Sequence, residues 1–196
     1  MRIACIGSRE LPPEAALACR EMGLALARAG YTVVTGATPG VPSQDEWADW
    51  ADGAFATGAA HGSPDRLIAC LPWQHFPRGN NHALPGIRAE YPDEHPEWAE
   101  AAHAFWEKER APEAGPWQMV RRASRLRLLR TAGILLQSRL LLVWPGEDDE
   151  ESRFALAFAA WRHLPVIDLS LVSWRDVLAG LLAACSTGFP LKAGAQ

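Results

Sequence analysis

The sequence predicts an α/β protein of the Rossmann-like type, with a doubly wound, mainly parallel open sheet and flanking helices. Short apolar runs alternate with helical patterns in the order β-α-β-α-β, a helical excursion, then β-α-β-α. The first two runs, residues 2–6 and 31–35, flank a helix over 14–28 that follows Pro12-Pro13 and ends before Gly30. Such a β-α-β unit implies two parallel strands joined by a right-handed crossover.

The rest of the chain continues this alternation. Three more strands are predicted, at residues 66–71, 139–144 and 165–169, and five more helices, at 46–60, 95–110, 117–137, 150–162 and 172–185. Residues 37–44 predict a loop, and residues 72–95, rich in proline and glycine, predict irregular structure. We therefore expect one Rossmann-like domain over residues 1–185, with an irregular and helical excursion over 72–138 and a C-terminal tail over 186–196.

The composition is that of an ordinary globular protein and argues against several other classes of protein. The 196 residues are 48% hydrophobic and 21% charged, and the net charge of −4 argues against nucleic-acid binding over the whole surface, though not at a local basic patch. The four cysteines and six histidines lack the spacings of disulfide frameworks and metal sites, so we expect neither. No apolar stretch is long enough for a signal peptide or a membrane span, so we expect a cytoplasmic protein.

Three glycine-containing loops follow predicted strands: Gly7-Ser8-Arg9, Thr35-Gly36-Ala37 and Trp144-Pro145-Gly146. In open parallel sheets, ligands bind beyond the carboxyl ends of the strands, and glycine lets backbone N–H groups approach a phosphate closely. The Ser8 hydroxyl can donate to a phosphate, and the Arg9 guanidinium can pair with one bidentately. The three loops together favour a site for a small phosphate-bearing ligand, although each loop alone is also typical of a tight turn.

Several short motifs recur in one known group of proteins. The chain has Gly-Ser-Arg after the first strand, Thr-Gly-Ala after the second, the run Ala51–Ala59 (ADGAFATGA), and Leu71-Pro72-Trp73. This set resembles the Rossmann-like superfamily that contains DNA processing protein A, the LOG-type (lysine decarboxylase-like) nucleotide hydrolases and the SLOG nucleotide sensors. It is most similar to small phage-associated members, and the likeness extends over roughly residues 1–170.

The resemblance implies a protein that binds a nucleotide or a nucleotide derivative, as a sensor or a carrier. The pocket it implies adds Asp52, Arg130 and Ser152 to the three loops, with the Ser152 hydroxyl in place of a threonine hydroxyl. The only cofactor it suggests is a bound nucleotide. Relatives are often dimers, and several of the nine tryptophans lie mid-chain, where they would pack in the core or at a subunit interface, so we expect a homodimer.

The chain departs from this group where the hydrolases hold phosphate. Acidic residues 147–151 replace a glycine-rich loop, and Ala155 lies where the hydrolases carry a glutamate. Residues 38–47 are an insertion, and Trp50 replaces a glycine. Hydrolysis of a nucleotide N-glycosidic bond needs a carboxylate near the ribose, and only Asp52 and Glu151 are placed to supply one. A hydrolase is therefore an alternative function.

Five arginines lie close together near the end of the excursion: Arg121, Arg122, Arg125, Arg127 and Arg130. On a helix, Arg121 and Arg125 share one face, and Arg127 and Arg130 share another. One interpretation is a surface that binds single-stranded DNA, the third candidate function. The other is a solvated helix whose arginines pair with the acidic residues 147–151 and cover apolar surface with their stems.

Overall fold

The computed structural model describes residues 1–37, 50–74, 76, 86–146 and 149–187. Its strands are β1 (Arg2–Gly7), β2 (Thr32–Thr35), β3 (Leu67–Cys70), β4 (Arg88–Glu90), β5 (Leu141–Trp144) and β6 (Val166–Asp168). They form a six-stranded sheet in the order β4-β3-β2-β1-β5-β6, in which every neighbouring pair is parallel. The predicted α/β class with a parallel, Rossmann-like sheet is therefore confirmed.

The helices connect and cover these strands. They are α1 (Pro13–Arg28), α2 (Ala51–Gly62), α3 (Pro96–Phe105), α4 (Ala111–Ala114), α5 (Arg122–Leu136), α6 (Glu150–Trp161) and α7 (Trp174–Thr187). A π-helical segment, Trp106–Arg110, joins α3 to α4. None of the described helices combines the length and the apolar character that crossing a membrane requires.

Both faces of the sheet are buried because successive side chains of a strand point to opposite sides. On one face, Ala4 and Ile6 of β1 belong to a core that includes the tryptophans and phenylalanines of α3 and α6. On the other face, Ile3 and Cys5 of β1 pack with side chains of α1, α2 and α7. Among the tryptophans, Trp98 and Trp106 lie in the first core.

Strand β4 corrects the expectation that residues 72–95 are irregular. It is a three-residue edge strand that pairs with β3, and two of its three residues are charged. Glu90 is buried, and its carboxylate accepts from Gln137 Nε2 at 3.0 Å and pairs with Arg88 Nε at 2.7 Å. This strand is held in place by an ion pair and a long-range hydrogen bond. It therefore forms without the apolar pattern from which strands are predicted.

Element boundaries differ from prediction in two further places. Helix α5 begins at Arg122, because Trp117–Met119 form a separate 3₁₀ turn, and α7 continues to Thr187, past the predicted start of the tail. Four predicted features lie wholly or partly outside the described residues: the loop after Ala37 with the first turn of the helix at 46–49, residues 75 and 77–85 of the irregular segment, Glu147 and Asp148 of the acidic run, and the tail from residue 188.

The strand order places the topological switch between β1 and β5. From β1 the chain proceeds outward through β2, β3 and β4, and it then returns to the other side of β1 as β5 and β6. The crevice beyond the carboxyl ends of β1 and β5 is the place where folds of this kind bind ligands.

The contact between α1 and α2 gives a test of the packing. A Cβ at Gly58 would overlap the main-chain carbonyl oxygen of Arg20, and neither backbone can move without separating the helices. We expect Gly58→Ala to lower the free energy of unfolding by about 1–3 kcal/mol. Gly180→Ala in α7 is the matched control, since a Cβ there has no neighbour within 4 Å, and it should be neutral or stabilising by up to about 1 kcal/mol. Urea unfolding of both variants measures this, and equal midpoints would contradict the packing described.

Candidate functional site

The predicted loops meet at the carboxyl edge of the sheet. Gly7 lies opposite Trp144 in the register of β1 and β5, and the Ser8 N–H donates to the Trp144 carbonyl at 2.8 Å. Thr35 ends the neighbouring strand β2. The structure thus brings together the ends of β1, β2 and β5, as the sequence predicted for a ligand site at this edge.

Asp52 joins these strand ends to helix α2. It lies in the first turn of α2, is 6% exposed, and accepts the Gly7 N–H on Oδ1 at 3.0 Å. The Thr35 hydroxyl donates to the Asp52 main-chain carbonyl at 3.3 Å. The Asp52 carboxylate therefore fixes the loop after β1 relative to α2, a role that leaves little of it open to a ligand.

Arg130 of α5 is the cation opposite Asp52. Its Nη1 donates to the Gly36 carbonyl at 2.9 Å, and its Nη2 lies 3.8 Å from Asp52 Oδ2 and also pairs with Glu151 Oε1. Arg130 is 4% exposed, and a side chain at Gly36 would meet its guanidinium carbon at 2.6 Å. The residue is a buried clamp between three elements, because its guanidinium already has two carboxylates and a carbonyl as partners.

Burial raises the pKa of Asp52 to about 6, and Asp149 acts in the same direction. Arg130 and the N–H groups of Gly7 and Gly36 oppose this shift by stabilising the carboxylate. Burial also lowers the pKa of Arg130, while the Asp52 charge opposes that change. Asp52 and Arg130 therefore each offset the cost of burying the other's charge.

The end of the acidic run caps helix α6. Asp149 is the N-cap of α6, and it accepts from the N–H groups of Glu151 and Ser152 at 3.2 and 3.3 Å. The Ser152 hydroxyl donates to Asp149 Oδ2 at 2.6 Å, and Ser152 is 1% exposed. The structure therefore places Ser152 in the helix cap, where its hydroxyl is occupied. The Ser8 hydroxyl is engaged too, donating to the Glu10 carbonyl at 3.0 Å and accepting the Glu10 N–H.

Glu151, the second predicted catalytic carboxylate, faces Arg130 from the first turn of α6. Its Oε1 also accepts from the Thr131 hydroxyl at 3.0 Å. Of the other predicted site residues, Ala37 is buried, and Gly146 packs against Ser8, whose Oγ would lie 2.6 Å from a Cβ there. Trp144 and Pro145 are partly buried.

A small recess opens beside the Arg130 clamp, with a cavity volume of about 10 Å³. Its lining residues are Gly7, Arg9, Trp50, Asp52, Phe76, Arg127, Arg130 and Glu151. This volume holds about one water molecule, far less than the roughly 300–1,000 Å³ of a pocket that encloses a small ligand. A ligand at this position would therefore lie over the recess.

Two arginines with exposed surface flank the recess. The Arg9 side chain is 44% exposed, lies 3.7 Å from Asp149 Oδ1, and has its guanidinium carbon 5.8 Å from the centre of the Trp50 ring. The Arg127 side chain is partly exposed, but its Nε is buried, and like the Nε of Arg130 it has no hydrogen-bond partner in the described part of the chain. Burial lowers the pKa of Arg127, and the nearby Arg9 charge acts in the same direction.

Sequence reasoning ranked these residues differently. It favoured Arg130 over Arg127 and gave Trp50 and Phe76 no role in the site. Arg127 and Arg130 do share the face of α5 that lines the recess, as the helical spacing predicts. A usable signal for Trp50 was its place directly before α2, the helix that carries Asp52. Phe76 had no such signal. Among the described residues, no group of three or more His, Cys, Asp and Glu side chains could hold a metal ion.

Comparisons with known proteins identify the fold. No family model matches the sequence, and a search of curated proteins finds no match. The chain is structurally similar to DNA processing protein A from Helicobacter pylori, solved in a study of its unique single-stranded DNA binding mode. The TM-score is 0.58 at 17% sequence identity, and the match covers 93% of this chain and 80% of that one. The protein therefore has the fold of DNA processing protein A.

The buried Asp52 carboxylate predicts a pH dependence of stability. Its pKa in the folded protein, about 6, lies above its ordinary value of 3.8, so between these values the folded state binds more protons than the unfolded state. The contribution of Asp52 to stability should therefore fall as the pH rises from about 4 to about 6, and Asp52→Asn should remove this component. Urea unfolding at a series of pH values measures it.

The control is Asp176→Asn, an exposed aspartate of α7, which should keep the wild-type pH profile. If the wild-type and Asp52→Asn profiles differ only by a constant, Asp52 does not titrate abnormally.

Proposed function

We propose that this protein binds single-stranded DNA over the recess at the ends of β1 and β5, with Arg9 and Arg127 as phosphate contacts. One observation carries the proposal: two arginine side chains with exposed surface and an aromatic ring, Trp50, surround a recess too small to enclose a ligand. Non-specific binders of single strands combine cationic grooves with aromatic rings on which bases stack.

The distribution of charge around the recess supports this proposal. The carboxylates of Asp52 and Glu151 pair with Arg130, and Asp149 lies near Arg9 and caps α6. These acids are thus engaged by groups of the protein, which weakens their repulsion of a phosphate. The Arg127 guanidinium has no carboxylate within 4.0 Å in the described part of the chain, so no such carboxylate competes with a phosphate for it.

The structural neighbour gives independent support, since DNA processing protein A shares this fold and its study concerns single-stranded DNA binding. A free nucleotide is the second candidate. One observation favours it: the Glu151 carboxylate lines the recess together with Arg127, so an acceptor for a ribose hydroxyl lies next to a phosphate contact. Hydrolysis has less support, because both candidate carboxylates are paired with Arg130.

Replacing Arg127 tests the phosphate contact. We expect Arg127→Gln to weaken binding of a labelled single strand and to reduce the slope of log K against log salt by about 0.7, the value for one phosphate contact on single strands. Fluorescence anisotropy over a salt series measures both quantities. Arg66→Gln is the matched control, since this exposed arginine lies before β3 at the opposite edge of the sheet. An equal change of slope in both variants would show that only net charge matters.

Replacing Trp50 tests base stacking. We expect Trp50→Ala to cost about 1–3 kcal/mol of binding free energy, while Trp50→Phe keeps most of the affinity because a phenyl ring still stacks. Both variants are first compared with the wild type by thermal unfolding, because Trp50 is half-buried at the start of α2. Equal affinity of the alanine and phenylalanine variants would exclude stacking on this ring.

Calorimetric titration with AMP, with ADP-ribose and with an oligonucleotide of about 12 nucleotides separates the two candidates. Tighter binding of the oligonucleotide supports the DNA proposal, and tight binding of a mononucleotide alone supports the second candidate. A folded sample that binds none of the three overturns both.

A further inference from the structure

The start of helix α5 carries a second group of arginines that does not face the recess. Arg121 and Arg122 are exposed and Arg125 is partly exposed. At 100° per residue, Arg122 is rotated by about 140° from Arg127, and Arg125 by about 160°, so both lie on nearly the opposite side of the helix from Arg127. We call Arg121, Arg122 and Arg125, together with Met119, the basic patch.

The positive charge of the basic patch has no compensation within the described residues. None of the three arginines has a carboxylate within 4.0 Å there, so they do not pair with residues 149–151, the described part of the acidic run that the sequence suggested as their partner. Helix α5 has no acidic residue in its first turn and no side-chain cap. Cations at a helix N-terminus oppose the helix dipole, so these charges do not stabilise α5. Their charge is complementary to an anionic partner.

The patch also has an exposed apolar member. Met119 is 78% exposed and lies just before Arg121, while its neighbour Trp117 packs against Trp106 with ring centres 5.4 Å apart. An exposed thioether side chain beside guanidinium groups provides apolar contact for an unstacked base next to contacts for its phosphates. Single-stranded nucleic acid presents unstacked bases and phosphates together.

We propose that the basic patch is a second contact surface for the same DNA strand, which passes from the recess across the start of α5. This inference rests on the proposed function. Arg122 and Arg127 are five residues apart, about 7.5 Å along a helix some 10–12 Å wide, so their side chains are separated by roughly 13 Å. A dinucleotide has a single internucleotide phosphate and cannot contact both surfaces through its backbone, so a longer strand is needed to reach both. A dinucleotide reaches the recess alone.

The test uses the triple variant Arg121→Gln, Arg122→Gln, Arg125→Gln with two ligands, a dinucleotide and a strand of about 12 nucleotides. We expect the variant to bind the dinucleotide like the wild type, and to bind the longer strand at least about 10-fold more weakly. The salt slope for the longer strand should fall by about 2, as expected for three lost contacts at about 0.7 each. The corresponding triple lysine variant should recover most of the affinity, because lysine keeps the point charge.

The matched control is the triple variant Arg66→Gln, Arg139→Gln, Arg162→Gln, which removes the same charge from exposed arginines before β3, β5 and β6. The inference is overturned if the patch variant binds the longer strand like the wild type, or if the control loses as much affinity. It is also overturned if the patch variant loses affinity equally for both ligands, since the patch would then act through the recess. A wild-type protein that binds neither ligand removes the proposed function, and this inference with it.

Discussion

The carboxyl edge of the sheet depends on the buried ion pairs of Arg130. One guanidinium on α5 contacts a carboxylate at the start of α2, a carboxylate at the start of α6, and the carbonyl that follows β2. Burial of charges is costly, and removal of one partner leaves the others uncompensated. The Arg130 clamp therefore couples three segments distant in sequence, and through Asp52 it also fixes the loop after β1.

This clamp determines what the site can do. The groups that the family resemblance assigns to ligand binding, Asp52, Arg130 and Ser152, are used to hold the protein together, and the space they leave is about 10 Å³. In the proposed function, the contacts to a ligand come from the side chains at the rim, Arg9, Arg127 and Trp50. A rim of this kind suits a flexible anionic strand lying over the edge better than a ligand enclosed by the protein.

The arginines on the two sides of helix α5 differ in whether their charge is compensated within the protein. On the side facing the sheet, Arg130 is compensated and buried, with Arg127 at the boundary between the clamp and solvent. On the opposite side, the basic patch has no internal partner in the described residues. A protein with a net charge of −4 can thus carry a local group of positive charges at the start of one helix.

The sequence by itself determined the fold class, most element positions and the edge at which the predicted site lies, because these follow from apolar periodicity, from glycine at strand ends and from the connectivity of parallel strands. It did not reveal β4, whose Arg88 and Glu90 are held by ion pairs and by the distant Gln137. Nor could it show that the Ser152 hydroxyl is bound to Asp149, or that Arg130 has carboxylate partners while Arg127 has none among the described residues. Such assignments depend on which polar groups meet across the folded chain, and only the tertiary structure decides those pairings.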